Sequence, residues 1–195
     1  GDNVGGLSSG TVTADTTYHL FLIVKDTDGT VDAMFDTSLV AANIPVGWTA
    51  FRRIFSLLTD SSSNIPGFTA VESSGGGLEI VLDVDVTDLN TTSTALPAVL
   101  LPLSVPTGLS VMAAIKAKIS DGATIETLFT SPLQTDIAPT VLMSDLRVSA
   151  SGTQAGINTR MLTDDSGQIR YRHSQTTTVS FFSVLTSGWT DFRRV

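Results

Sequence analysis

The hydrophobic residues of this 195-residue chain recur mainly at every second position, which is the period of a β-strand with one buried face. The clearest case runs from Leu78 to Val86, where alternate residues are Leu, Ile, Leu, Val and Val, and acidic residues lie between them. We expect these five apolar side chains to point to one face of the strand and the acidic side chains to the other. The segment 17–25 is apolar at almost every position and predicts a strand buried on both faces.

Turn residues bound the other predicted strands. Asp28-Gly29 supplies the positive φ angles that a tight hairpin needs. The segment 99–120 contains helix-forming residues, but its period of two and its prolines favour a strand. The further predicted strands are 30–36, 48–58, 68–72, 123–130, 140–149, 155–163, 168–173, 178–186 and 188–194.

This spacing of strands and turns, with no long amphipathic pattern, predicts an all-β fold with little or no helix. We expect an antiparallel, jelly-roll-like β-sandwich in which residues 1–195 form a single domain. The glycine-rich stretch 73–77 is the candidate point of subdivision, although its length favours a loop.

Two short phrases occur twice. Residues 47–54 (GWTAFRRI) and 188–195 (GWTDFRRV) share six of eight positions and contain both tryptophans of the chain. Strict alternation would place Trp48 and Arg52 on one strand face and Arg53 on the other. A weaker echo relates 58–65 to 162–169, but it follows the first Trp phrase and precedes the second. The order excludes a tandem repeat and suggests one hairpin design used on two sheets.

Composition narrows the possible functions. The net charge is −8, which argues against a nucleic-acid groove because such a groove needs a basic patch. The chain has no cysteine, so thiol chemistry and disulfides are excluded. It has 28 Thr and 22 Ser, which predict a hydroxyl-rich, weakly charged surface. No apolar run approaches the length of a transmembrane helix, and we predict no membrane insertion.

Candidate catalytic groups are few. The sequence lacks the motifs of nucleophilic hydrolases, zinc proteases and phosphate-binding loops, so no catalytic residue, metal or cofactor is predicted. Asp83 and Asp85 would lie about 7 Å apart on one strand face, within the range of glycosidase carboxylate pairs. With Asp88 they also fit a solvated sheet face. His19 lies in the most apolar strand and is expected to be a satisfied core histidine.

Candidate binding residues are aromatic, guanidinium and imidazole groups on predicted strands. Guanidinium groups bind anionic sugars or phosphates, and tryptophans stack on sugar rings. The same groups also serve as core residues and as partners of local carboxylates. On this chemistry the candidates are Trp48, Arg52, Arg172, His173, Trp189 and Arg193.

Several motifs together resemble a domain of tail fibres and related receptor-binding tail proteins of tailed bacteriophages and prophages. Each motif is short, but they span most of the chain. They are Gly5-Gly6-Leu7, the segment from Gly10-Thr11-Val12 to Tyr18-His19, Gly29-x-Val31-Asp32, both Trp phrases, Leu58-Thr59-Asp60 and Val105-Pro106-x-Gly108.

The resemblance implies a homotrimeric, non-enzymatic domain in the virion tail, found outside the cell after lysis. Its expected partners are copies of itself, other virion tail proteins and a bacterial surface glycan or outer-membrane component. The chain would be the C-terminal fragment of a longer fibre. By position, the loops 60–67, 87–97, 131–139 and 150–156 are candidates for host contact.

Two alternatives stay open. The chain could be a fragment of a glycan depolymerase that uses Asp83 and Asp85. It could also be a purely structural connector or decoration protein of the virion. Complete burial of Trp48 and Trp189 would favour the structural alternative, and exposed aromatic residues would argue against it.

Overall fold

The structure, a computed structural model, describes residues 6–73, 75–94, 96–121, 124–149 and 153–192. Within these ranges the chain forms strands joined by turns and loops and contains no helix, which confirms the all-β, sandwich-like prediction. The strands are β1 (Gly6–Leu7), β2 (Thr17–Lys25), β3 (Val31–Asp36), β4 (Trp48–Leu58), β5 (Phe68–Glu72), β6 (Leu78–Ser93), β7 (Val99–Pro102), β8 (Met112–Asp121), β9 (Ile125–Thr130), β10 (Leu146–Val148), β11 (Thr153–Leu162), β12 (Gln168–His173) and β13 (Thr178–Asp191).

These strands form three sheets. The first sheet has the order β1-β3-β2-β4, the five-stranded sheet β11-β8-β13-β6-β5, and the third sheet β10-β9-β12-β7. Neighbouring strands are antiparallel in every described pair except β1 and β3. The five-stranded sheet joins the two halves of the chain, because it combines β5 and β6 of the first half with β8, β11 and β13 of the second.

The main core lies between the five-stranded sheet and the third sheet. Phe182 of β13 is fully buried and packs against Phe129 and Tyr171 of the third sheet, with ring centroids 6.3 and 5.3 Å apart. Strand β8 adds a row of small and branched side chains at alternate positions, and all of them are buried: Ala113, Ile115, Ala117 and Ile119. The alternation read from the sequence therefore corresponds to one buried and one outward face of β8.

The first sheet joins this core at one end. Phe55 and Leu57 of β4 belong to the main core together with Ile80 and Trp189. Alternate residues on the opposite face of the same strands form a small second core, made of Phe21, Ile23, Met34 and Ala41.

Irregular strand pairing in β6 and in β4 changes the orientation of residues from the one that strict alternation predicts. Residues 82–85 of β6 face the single residue Ser187 of β13, because the ladder shifts between the pairs on either side. As a result Val84 and Val86 are exposed whereas Ile80 and Leu82 are buried, so the single apolar face expected from strict alternation is interrupted. In β4, register shifts against β2 likewise interrupt the strict alternation expected for the first Trp phrase.

Some predicted boundaries also differ. Strand β6 continues to Ser93, so most of the predicted loop 87–97 is strand, and residues 153–156 belong to β11 rather than to a loop. The predicted strand 178–186 and residues 188–191 of the predicted strand 188–194 form one strand, β13, across an irregularity at Gly188; residues 193 and 194 lie outside the described residues. Of the predicted strand 140–149, only Leu146–Val148 is strand, and Thr140 to Met143 forms a turn.

The weaker sequence echo is a repeated turn. After β4, the Asp60 carboxylate accepts hydrogen bonds from the backbone N–H groups of Ser62 and Asn64, each 2.8 Å. After β11, the Asp164 carboxylate accepts the equivalent bonds from Ser166 and Gln168, at 3.1 and 2.8 Å. An Asp side chain therefore organises each turn, but the prediction of a hairpin is wrong, because β4 and β5, and likewise β11 and β12, belong to different sheets.

Gly188 allows β13 to pass closely against β6. Its φ angle is 153°, and a Cβ atom at this position would lie 2.1 Å from the backbone oxygen of Ile80. Gly47, its counterpart in the first Trp phrase, has a φ angle of 82° and open space where a Cβ atom would be. The two glycines are equivalent in sequence, but a backbone lies against Gly188 and not against Gly47.

Replacing each glycine by alanine should separate the cost of the positive φ angle from the cost of the close backbone contact. We expect Gly188→Ala to lower the free energy of unfolding by about 3–5 kcal/mol, because it combines backbone strain with a collision. Gly47→Ala should cost about 1–2 kcal/mol from its φ angle alone. Urea unfolding followed by tryptophan fluorescence measures both, and equal losses would contradict the close approach at Gly188.

Candidate functional site

The predicted binding residues do not form one surface site. Trp189 and His173 are buried, with 2% and 0% of their surface exposed. Trp48 and Arg172 are half-buried, and Arg52 is exposed on β4. Arg193 lies outside the described residues. The burial test for a purely structural role is therefore met by Trp189 and not by Trp48, which packs at the edge of the second core.

Trp189 belongs to a buried polar junction between the two Trp phrases. Arg53 of the first phrase donates hydrogen bonds to both carboxylate oxygens of Asp191 in the second, at 2.5 and 2.9 Å. Arg53 also donates to Ser56 Oγ, and the indole Nε1 of Trp189 donates to the Ser56 carbonyl oxygen. These contacts join the first sheet to the five-stranded sheet, so this Trp and these charges hold the fold together.

Both histidines are core residues. His19 Nδ1 lies 2.8 Å from Ser56 Oγ, which agrees with its prediction as a satisfied core histidine, and His173 Nδ1 lies 2.8 Å from Thr127 Oγ1. Burial lowers the pKa of His19 to about 4, with the positive charge of Arg53 as a second cause. Burial alone lowers the pKa of His173 to about 4. Both side chains are therefore neutral at pH 7.

Arg172 and its neighbour Arg170 hold a long surface loop against the third sheet. Arg172 Nη1 donates to the Asp136 carboxylate at 2.8 Å. The guanidinium of Arg170 donates to the carbonyl oxygens of Gln134 and Pro132, at 2.9 and 3.3 Å. Side chains of this kind are often ligand contacts, but here they bind a segment of their own chain.

We name this segment, residues 131–145, the apolar loop. Its far end is also fixed, because Asp145 accepts a hydrogen bond from the Phe129 N–H at 2.7 Å and donates its own N–H to the Thr127 carbonyl. Between its anchors the loop exposes five large apolar side chains: Leu133, Ile137, Val141, Leu142 and Met143. The predicted loop 131–139 lies within it.

The tip of the apolar loop is a tight turn with apolar residues at its centre. Thr140 and Met143 exchange two backbone hydrogen bonds of 3.1 and 3.0 Å, and this holds Val141 and Leu142 outward. These two side chains are 57% and 93% exposed. Turn centres are usually Gly, Pro, Asn, Asp or Ser, so two branched apolar residues here gain nothing from the turn itself. Clustered exposed apolar residues commonly mark a contact surface, and we take this tip as the candidate functional site.

The acidic residues of β6 have separate environments. Lys116 Nζ lies 2.9 and 2.7 Å from the two carboxylate oxygens of Asp85. Asp88 accepts hydrogen bonds from Thr186 Oγ1 and the Ser104 N–H, and burial raises its pKa. Asp83 is exposed beside Gly67. Asp85 is thus held by an ion pair on the outward face of the five-stranded sheet.

No family model, curated protein or solved structure matches this chain. Across the described ranges, no cluster of three His, Asp or Glu residues has the arrangement of a metal site. No helix in those ranges could span a membrane.

The lowered histidine pKa values predict that acid destabilises the fold. Above pH 6.5 both histidines are neutral in the folded and unfolded states, whereas between pH 6.5 and about 4 the unfolded chain binds protons that the folded chain does not. Each histidine should therefore remove about 2 kcal/mol of stability between pH 7 and pH 5.

His173→Gln isolates one of these contributions. Urea unfolding at pH 7 and pH 5 should show a loss smaller by about 2 kcal/mol in the variant than in the unmodified chain. The raised pKa of Asp88 favours the fold at low pH, but Asp88 is present in both proteins and cancels in the comparison. An identical pH dependence in the two proteins would mean that His173 is not held neutral.

Arg172→Met should loosen the apolar loop without unfolding the domain. The pair with Asp136 is partly exposed, so the loss of global stability should stay within about 1 kcal/mol. Hydrogen exchange of peptides from 131–139 should become roughly fivefold faster, as expected when an anchor of that size is lost. Arg52→Met, at an exposed arginine of the first sheet, is the control. Unchanged exchange in Arg172→Met would show that Arg172 does not anchor the loop.

Proposed function

We propose that this chain is a non-enzymatic domain of a bacteriophage tail fibre, which assembles as a homotrimer and contributes to attachment to the host cell surface. The observation that carries the proposal is the tip of the apolar loop, where Val141 and Leu142 are held outward by a hydrogen-bonded turn. The tail-fibre motifs in the sequence supply the biological setting.

The anchoring of the loop suits a recognition role. A loop fixed by Arg170, Arg172 and Asp145 has little conformational entropy left to lose when it binds. An isolated tip of two apolar residues buries little surface, so a single site would be weak. Three copies on one fibre would raise the overall affinity through effective concentration.

The chemistry of the tip also selects among surface partners. An apolar turn gains most from a partner that offers an apolar depression, which favours an outer-membrane protein over a strongly hydrated glycan. Other tail proteins of the virion are the second expected class of partner. The domain would act on the virion tail, outside the cell after lysis.

A structural connector is the second candidate. It is favoured by the Arg53–Asp191 junction and by the burial of Trp189, because both show a Trp phrase acting as a structural element. A connector would bind no host cells, so adsorption separates the two proposals.

Substitution of the tip tests the attachment proposal. Fluorescently labelled protein should bind at least one strain of a panel of Gram-negative bacteria. The double variant Val141→Asp/Leu142→Asp should bind at least tenfold less, because two apolar contacts are lost and two charges are introduced.

The matched control is Val40→Asp/Val46→Asp, at two exposed valines of the loop between β3 and β4, which should leave binding unchanged. If neither double variant reduces adsorption, the tip is not the contact. If the unmodified protein binds no strain in the panel, the connector is favoured.

A further inference from the structure

Strand β11 is an edge of the five-stranded sheet that lacks the features that usually protect an edge from pairing. It pairs with β8 over ten residues, from Thr153 to Leu162, without a register shift. It contains no proline and one charged residue, Arg160, which turns back over the sheet to Glu79. Natural edge strands are usually short, bulged, charged or covered.

Apart from β5, which is half as long as β11, the other described edges do have such features. Strand β4 is as long as β11 but has two register shifts, and β1, β7 and β10 have two, four and three residues. Strand β7 also ends at a proline. Among the described strands, β11 is therefore the long, regular edge that stays open.

The outward backbone groups of β11 can be assigned. Just past the strand, the Thr163 N–H donates to the Val111 carbonyl at 2.9 Å, so odd-numbered residues of β11 bond to β8. The even-numbered residues direct N–H and C=O groups away from the sheet: Gln154, Gly156, Asn158, Arg160 and Leu162. A strand added at this edge would pair with these groups.

The side chains of β11 also indicate that this edge can accept a neighbouring strand. Ala155, Ile157 and Met161 point toward the main core, yet each is only half-buried. Their counterparts on the next strand inward are completely or almost completely buried. One more strand beside β11 would cover these apolar side chains as well as the backbone.

The opposite edge of the same sheet is a suitable occupant. Strand β5 pairs with β6 in unbroken register over Phe68–Glu72, and four of its five residues are exposed. Charges near the two edges are opposite. The exposed Lys118 lies on β8 beside β11, and the exposed Asp83 follows the residue of β6 that pairs with the start of β5. A β5 edge brought to β11 would place these opposite charges on either side of the new strand pair, three strand spacings apart, which favours the approach of the two edges without a direct ion pair.

We propose that β11 of one copy pairs with β5 of a second copy, so that the five-stranded sheets continue from subunit to subunit. Because the two edges differ, this contact is head-to-tail, and three copies can close it into a ring. The inference deepens the proposed homotrimer and is independent of host attachment, so its failure would leave the role of the apolar loop untouched.

Solution mass tests the edge first. The unmodified chain should have a mass of three times 20.5 kDa by light scattering with size-exclusion chromatography. Asn158→Pro should reduce it to a single chain, because proline removes an outward N–H that the subunit itself does not use. Asn158→Ala keeps that N–H and should stay trimeric. A monomeric unmodified chain, or a trimeric Asn158→Pro variant, would overturn the proposal.

Crosslinking tests the partner strand without relying on the proline variant. The chain has no cysteine, so Thr69→Cys on β5 and Asn158→Cys on β11 each introduce a single thiol. In one subunit these positions are about 19 Å apart, four strand spacings, so a short bismaleimide crosslinker joins different copies. Crosslinked dimer should form in an equal mixture of the two variants and not with either alone.

Two crosslinking results would contradict the proposal. Efficient crosslinking of Asn158→Cys alone would mean a twofold pairing of β11 with itself. Absence of crosslinking in the mixture, with its trimeric mass retained, would mean that the subunits meet through another surface.

Discussion

The buried ion pair between Arg53 and Asp191 is the constraint on which the arrangement of the sheets depends. Asp191 is fully buried and the Arg53 side chain is 12% exposed, so both charges have lost most of their hydration. Such a pair adds little net stability, but removing one partner leaves an uncompensated buried charge at a cost of about 3–5 kcal/mol. The first sheet must therefore lie where the guanidinium group of Arg53 can reach the carboxylate of Asp191. Ser56, His19 and Trp189 complete the junction around them.

Much of the strand content could be predicted from periodicity, because burial on one face imposes a period of two. The strands 17–25, 48–58, 68–72 and 168–173 begin and end at the predicted residues. Periodicity cannot show which strands pair or where a ladder shifts. Val84 fits the inward pattern of β6 perfectly, yet it lies in the stretch opposite Ser187 where the register breaks. On β13 that break lies between Thr186 and Gly188, which are about a hundred residues away in sequence.

The candidate site was harder to predict, for a physical reason. Aromatic and guanidinium groups are chosen as binding candidates because they make strong, directional contacts, and a fold uses the same contacts internally. Trp189 and His173 make theirs in the core, and Arg172 makes its contact with the apolar loop. The signal for the loop was present in the sequence, as a run of apolar residues after Pro139 that does not alternate. Interpreting that run as a strand misses the turn.

The apolar tip and the open edge of β11 have in common that neither benefits an isolated chain. A monomer gains no burial from Leu142 and no hydrogen bond from the outward groups of Asn158, and both features raise the risk of nonspecific association. Sequences generally satisfy local rules except where a function requires otherwise. Other parts of the described chain follow those rules, since the two Asp-centred turns are capped and the long β4 edge is bulged. The apolar tip and the β11 edge therefore point to contacts made outside the single chain, one at its surface and one between its copies.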